Sequence, residues 1–389
     1  MHCSRGRSRR CLQDVSSLNL AVPSGAAFFL SGLPGRRLAV LARRGRPIKG
    51  IGLGQTASAK DGDMLPPRMS SEPISSPAVT LSREVLLALH LDYGLRPRAA
   101  MMLVGGHQSD AFRLECDSQT VVLKIGPQWR SSAELEWSYR AAEHVAQVLS
   151  VAAVPLRTTA KARVTRVLGR PVTVWPFVDG RGIDVNDERE CDLTAALLGR
   201  MQARLVTWQG AGERPATSPD ALAMRRPARV PEALRDTGLD RWLSRWRARR
   251  DRVQGPMHGD FWGNNVLFDG RRIAAVIDWD DTRVGALDRE LAWAVWEFCG
   301  DPALAVLNEP KALRFLRRYA AAGGPVSITD RSFVVPLIRE HLRYEALRAL
   351  GAAEKNELVD HAYTASAIRA FGALHGQSLG LPPGRRPKG

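Results

Sequence analysis

The chain has 389 residues, 44% apolar and 25% charged, an ordinary balance for a soluble globular protein with room for two lobes, each with its own core. No apolar run reaches the roughly 18–20 residues that a membrane-crossing helix needs. The net charge of +16 would suggest nucleic acid, but residues 1–80 alone carry 12 Lys and Arg against 4 Asp and Glu, a surplus of 8 and half of the total.

That first segment is rich in Gly, Ser, Pro and Arg and is expected to be a basic, disordered extension, with Met64 or Met69 as an alternative start. Its apolar patch, LNLAVPSGAAFFLSG after SRRCL, looks like an export signal, but Pro23 and Gly25 interrupt it. Residues 81–189 (14 basic, 12 acidic) and 190–389 (30 basic, 24 acidic) show no basic face with interleaved aromatics, which disfavours nucleic acid as a partner. The densest basic run, RWLSRWRARRDR at 241–252, sets Trp242 and Trp246 on one face of a helix with arginines on its solvated side. Five scattered cysteines, odd in number, imply neither a disulfide framework nor a metal site and point to a reducing cytoplasm.

From residue 81 periodicity begins. LSREVLLALHLDYG reads as a helix; MMLVGG, AFRLEC and TVVLKIG read as strands. SAELEWSYRAAEHVAQVL is helical, with Leu135, Tyr139, Ala142, Ala146 and Leu149 on one face. RVTRVLGRPVTVWPFVDG predicts a hairpin turning at Gly169-Arg170. After Gly182 helices dominate, interrupted by the strand-rich island MHGDFWGNNVLFDGRRIAAVIDWDD at 257–281. The organisation expected is an extension over 1–80, a β-rich lobe over 81–178, a helical lobe over 179–380 and a basic tail over 381–389.

The island carries the chemistry. Asp260 and Asn265 lie five apart on a loop broken by Gly259 and Gly263, and Asp278 ends a strand. Strands NNVLFD and RIAAVIDW, joined as a hairpin, would bring these groups to one edge. Two carboxylates and an amide oxygen are hard donors of the type Mg²⁺ takes when substrate phosphates complete its shell, and a carboxylate left over can orient a hydroxyl and accept its proton. Lys124, alone in the apolar strand VVLKI, needs an anionic partner, in a chain with only 7 lysines against 49 arginines.

The pattern HGDFWGNNVLF…VIDWDD resembles the aminoglycoside phosphotransferase/choline kinase branch of the protein-kinase-like superfamily. The resemblance spans roughly 95–375 and implies an α+β, two-lobed kinase-like fold, with a small antiparallel β-rich lobe and a larger helical one. It implies ATP and Mg²⁺ as cofactors, Asp260 as catalytic residue, and Asn265 and Asp278 as metal ligands. Lys124 would hold the nucleotide phosphates and be held in turn by Glu136, with Glu134 as the alternative. Gly105, Gly106 and Ser109 would cover the phosphates, and Trp175, Phe177 and Val178 would form the hinge that holds the adenine. His258 and Glu290 would brace the catalytic loop. Two positions depart from the family: Gln202 stands where many members of LGxLHxxL have His, and Glu290 where G-x-x-x-x-D-L-A has Asp. The expected activity is transfer of the ATP γ-phosphate to a hydroxyl of a small molecule, an aminoglycoside-type antibiotic, amino alcohol or sugar. The basic surplus of the helical lobe weighs against a polycationic acceptor. A catalytically silent nucleotide-binding protein is the alternative; no membrane partner is expected, and oligomeric state is open.

Overall fold

The computed structural model describes residues 81–103, 109–212, 214–215, 227–302, 304–355, 357 and 359–380. The expectations for residues 1–80, for 381–389 and for Gly105 and Gly106 lie outside these.

Ser82 starts helix α1 (Arg83–Tyr93) by accepting from the Val85 N–H, and Gly94 ends it at φ 67°, a left-handed stop that suits glycine. Next come β1 (Pro97–Leu103), β2 (Asp110–Cys116), β3 (Thr120–Ile125), helix α2 (Ser132–Ala146), β4 (Thr165–Val167) and β5 (Arg170–Pro176), forming an antiparallel sheet in the order β1-β2-β3-β5-β4. The β4–β5 hairpin turns on Leu168 (φ 49°) and Gly169 (φ 76°), one residue earlier than the sequence suggested. Two successive positive φ values match the strands' own twist, so the turn settles where they fit.

Strict alternation along β3 gives each sheet face a separate task. Val121, Leu123 and Ile125 are buried and, with Phe112, Leu114, Val172 and Val174, pack against Val85 and Leu89 of α1 as one closed core. Val122 and Lys124 fall on the opposite face, with Thr173 and Trp175 of the paired strand β5. That face looks onto the rest of the molecule.

The larger core gathers α3 (Glu188–Leu205), α4 (Thr237–Ala248), α5 (Leu287–Cys299), α6 (Glu309–Ala321), α7 (Val334–Ala353) and α8 (His361–Ala373). Helix α2 follows β3 in the chain, yet its apolar residues Leu135, Tyr139, Ala142 and Val145 pack into this second core. It therefore couples the lobes. Gly199 lets α3 and α6 close up, since a Cβ there would lie 2.5 Å from the Tyr319 carbonyl. In α4 the two tryptophans stack at 6.1 Å, Arg252 covers Trp246, and the indole N–H of Trp246 donates to Asp288 at 3.0 Å. The basic run is thus an amphipathic helix fixed to the core.

Short strands frame the island: β6 (Arg181–Gly182), β8 (Val266–Phe268) and β9 (Ile273–Val276) pair as one ribbon, β7 (Gln254–Met257) and β10 (Arg283–Ala286) as another, and β11 (Gly300–Asp301) with β12 (Val306–Leu307) as a third. Among the described residues no helix is long and apolar enough to cross a membrane.

Candidate active site

The hairpin of β8 and β9 places the two polar clusters side by side: Val266 faces Val276, and the Ile277 N–H donates to the Asn265 carbonyl at 2.9 Å. Three sequence-distant segments then meet. Asn265 uses its amide nitrogen to donate to both the main-chain carbonyl and the Oδ2 of Asp260, each at 2.8 Å. Lys124 comes down from β3 to pair with Asp278 and Asp280, both at 2.7 Å. Asp278 sits at φ 61°, a left-handed conformation that carries strain for a non-glycine residue and aims the chain away from the strand.

The electrostatics follow from this packing. Burial, then the neighbouring Asp278 and Asp281 carboxylates, raise Asp260 to about 7, with a smaller upward push from Glu345. That is near the range at which a general base works best. Burial also opposes ionisation of Asp278, but the Lys124 ammonium outweighs it and holds the carboxyl below its ordinary value. Reciprocally, Asp278 and Asp280 outweigh the burial of Lys124 and keep it protonated.

The loop bearing Asp260 is braced by His258 and Glu290. His258, fully buried, accepts from the Asp260 N–H at Nδ1, which fixes Nε2–H as the donor to the Ile277 carbonyl at 3.0 Å. Burial pushes this imidazole down to about 4, so it stays neutral. Glu290 accepts from the Gly259 N–H at 2.8 Å with one oxygen and from the Gln202 amide at 2.9 Å with the other. Gln202 in turn accepts from the Tyr319 hydroxyl at 2.5 Å, and that hydroxyl accepts from the Val326 N–H at 3.1 Å. The two departures from the family pattern are therefore in direct contact. Gly259 has no alternative, since at φ 85° a Cβ would stand 2.1 Å from the Asp281 carbonyl oxygen.

One expected contact is not formed. Glu136 does not pair with Lys124; it accepts from Arg163 Nη1 at 2.8 Å and from the main-chain N–H groups of Arg163 and Val164. It points along α2 toward the β4 edge. Glu134, the alternative, is 1% exposed and binds the guanidinium groups of Arg130 and Arg214 rather than Lys124. Lys124 instead takes its counter-charges from the 278–280 turn, because β3 aims it at the other lobe.

Asp280, two residues beyond Asp278, belongs to the same cluster. It is 8% exposed, paired with Lys124, and accepts from the Tyr139 hydroxyl at 2.8 Å; Tyr139 meets Trp175 edge-on at 4.9 Å. Asp281 accepts from Arg130 at 3.0 Å. The acidic doublet after Trp279 was the available signal, but only the fold shows the partners. Ser109 is half-buried just before β2. Trp175 is buried at the end of β5, and Phe177, under the Arg113 guanidinium, leads with Val178 out of the sheet toward β6.

The donor set suits Mg²⁺. Asn265 Oδ1 and one Asp278 oxygen remain unengaged among the described residues, and both are hard donors. Among the described residues no three His, Cys, Asp or Glu side chains form a metal cage, so the protein alone offers only part of a shell.

Residues 102–333 match the sequence profile of the phosphotransferase enzyme family. A homoserine kinase of Beijerinckia indica subsp. indica is 25% identical over 236 residues, 57% of this chain and 71% of that protein. A homoserine kinase of Pseudomonas aeruginosa strain UCBPP-PA14 is 27% identical over 180 residues, 42% of this chain and 54% of that protein. Among solved structures, an amicoumacin kinase in complex with AMP-PNP, Ca²⁺ and its ligand superposes with a TM-score of 0.60 at 14% identity, covering 75% of this chain and 92% of that one. A microcompartment-associated aminopropanol kinase gives 0.55 at 18% identity, covering 75% and 94%. A thermostable mutant of aminoglycoside phosphotransferase APH(4)-Ia, with AMP-PNP and hygromycin B, gives 0.52 at 16% identity, covering 76% and 99%. The fold is α+β, two-lobed and kinase-like.

Proposed function

The chain belongs to the phosphotransferase enzyme family and is a small-molecule kinase, and from that premise we propose that it transfers the γ-phosphate of ATP to a hydroxyl of a small molecule. The observation that carries this reading is the meeting of Lys124, Asp260, Asn265 and Asp278, drawn from segments up to 154 residues apart, in one cluster. Their bonds to one another leave Asn265 Oδ1 and one Asp278 oxygen unengaged among the described residues.

Asp260 is the group that orients the acceptor hydroxyl and takes its proton. Its Oδ2 is fixed by Asn265, and the neutral His258 holds its backbone. Asn265 and Asp278 would hold Mg²⁺, which when bound neutralises phosphate charge. Lys124, its charge secured by Asp280 and Asp278, would hold the phosphates. Ser109, with Gly105 and Gly106 outside the described residues, would cover the phosphates, and Trp175 to Val178 would lie along the adenine. Glu136 has no nucleotide contact in this reading, since it is committed to Arg163. Catalysis is then chiefly positioning and charge neutralisation.

For the acceptor, the homoserine kinases among the relatives and the aminopropanol kinase among the structural neighbours favour a small hydroxylated amine or amino acid over a polycationic antibiotic. The test is ADP release from ATP and Mg²⁺ across hydroxy amino acids, amino alcohols, sugars and aminoglycosides, with Asp260→Asn as control. Turnover with one class, lost in the variant while ATP still binds, is the expected result; undiminished turnover in the variant removes Asp260 from its role.

A further inference from the structure

The turn that carries Asp278 is gripped from the other lobe by an arginine. Arg130, in the segment between β3 and α2, is buried. Its Nη1 donates to the Asp280 carbonyl at 3.1 Å and its Nη2 to Asp281 Oδ1 at 3.0 Å. A single planar group therefore spans two consecutive residues of the turn. Arg214, beyond α3, adds a longer bond of 3.4 Å from its Nη2 to the same Asp280 carbonyl. Glu134 holds both arginines there. Its buried carboxylate, on the first turn of α2, pairs with Arg130 at 3.5 Å and with Arg214. Glu134 and Asp281 supply one negative charge for each guanidinium, so two cations converge on one carbonyl without a net excess. Arg130 is also fixed from behind: its carbonyl accepts from Arg166 of β4 at 3.0 Å, and its guanidinium lies over the Trp129 ring at 5.0 Å.

The turn needs such a grip. Asp278 stands at φ 61°, a conformation that persists only where the surroundings impose it. Before the turn Lys124 takes Asp278 Oδ1, and after it the Thr282 hydroxyl donates to the Trp279 carbonyl at 2.6 Å. Between these anchors the main chain of Asp280 is held by Arg130 and Arg214. The turn also lies against the catalytic loop, since the Asp281 carbonyl oxygen would stand 2.1 Å from a Cβ on Gly259. A turn released from Arg130 would move Asp278 and press on the loop that carries Asp260.

We infer that Arg130 is a positioning residue whose fork, held by Glu134, fixes the 278–281 turn so that Asp278 presents an oxygen to Mg²⁺. This rests on the kinase reading above, with Asp278 as a metal ligand. Helix α2 is thereby tied to the metal ligand through an arginine, and its acidic residue serves that arginine in place of Lys124. Lysine is no substitute at this position. Its ammonium is a compact point donor, whereas the rigid guanidinium meets a carbonyl and a carboxylate on neighbouring residues at once.

The experiment is a thermal-shift titration of the full chain with Mg²⁺ at fixed AMP-PNP, with AMP-PNP in EDTA as the metal-free control. Arg130→Lys and Arg130→Ala should each raise the Mg²⁺ midpoint roughly 10-fold or more, the usual loss when the group orienting a metal ligand is removed. The shift given by AMP-PNP in EDTA should not change. A charge acting only through space gives a different result: removing a cation near a divalent ion tightens its binding, and lysine leaves it as it was. A merely structural role lowers stability in urea without moving the midpoint. Should both Arg130 variants fail to fold, Asp281→Ala carries the test, because that side chain is 43% exposed. It removes one prong's partner and should raise the midpoint too, by a factor that persists at about 0.5 M salt, where the effect of a distant charge is screened. An unmoved midpoint in any folded variant, a tightened one in Arg130→Ala, or a loss in Asp281→Ala that salt abolishes overturns the inference and leaves the kinase reading standing. A wild-type chain with no Mg²⁺-dependent shift overturns both.

Discussion

The contact between Gln202 and Glu290 makes a prediction that can be worked through in free energies. Glu290→Asp withdraws the carboxylate by about 1.5 Å, one carbon–carbon bond. The Gly259 N–H at 2.8 Å and the Gln202 amide at 2.9 Å approach different oxygens, so the shortened side chain cannot keep both. One lengthens past the limit of a hydrogen bond. Losing a bond to a buried charged group costs about 1.5–3 kcal/mol. Gln202→His, made alone, should cost a similar amount, because the Tyr319 hydroxyl loses its 2.5 Å acceptor. The double variant restores the Asp and His found at these places in the family, and a bulkier donor should reach the shorter acid. We expect a favourable coupling of about 1–2 kcal/mol, within the range for residues in contact. The assay is urea unfolding of all four proteins, with kcat measured in parallel, since a 1 Å displacement of the loop that carries Asp260 can cost about 100-fold. If the two single effects add to within about 0.3–0.5 kcal/mol, the side chains are independent and the reasoning fails.

Asp260→Asn should lower kcat by orders of magnitude while leaving the thermal shift given by ATP and Mg²⁺ intact; loss of that shift would show that the change disturbed the nucleotide site instead. Gly259→Ala forces a Cβ 2.1 Å from the Asp281 carbonyl at φ 85°, so either the loop moves and turnover falls at least 10-fold or the protein loses about 2 kcal/mol or more by urea unfolding; an unaffected variant contradicts the loop geometry. Glu136→Gln should weaken the attachment of the β4 edge through Arg163 and leave the KM for ATP unchanged, whereas an increased KM would restore Glu136 to a nucleotide role. An NMR titration should place the imidazole of His258 near 4 and not at its ordinary value near 6.5. The sign follows: the unfolded chain takes up the proton near 6.5 and the folded one only near 4, so this histidine's contribution is full above pH 6.5 and falls away as the pH drops to 4. Asp260, held at about 7 against 3.8, acts in the opposite direction over the interval 7 to 3.8.

What the sequence determined was local. HGDFWGNN and VIDW are short runs whose spacing and strand alternation place Asp260, Asn265 and Asp278 on one hairpin edge, and β3 alternation puts Lys124 opposite Val121, Leu123 and Ile125 whatever the rest of the chain does. Helix α5 could likewise be read directly, since Leu287–Cys299 carries its own periodicity. Only the tertiary structure decided which charges meet. Glu134 and Glu136 are two apart on one helix, and nothing in the sequence says that Arg163 captures one and Arg130 and Arg214 the other. The partners of Lys124, 154 and 156 residues away, and the contact of Gln202 with Glu290 across 88, depend on how the lobes close. Hydrophobic periodicity is written residue by residue along the chain. Ion pairs between distant elements depend on distances of a few ångströms that exist only once those elements have packed.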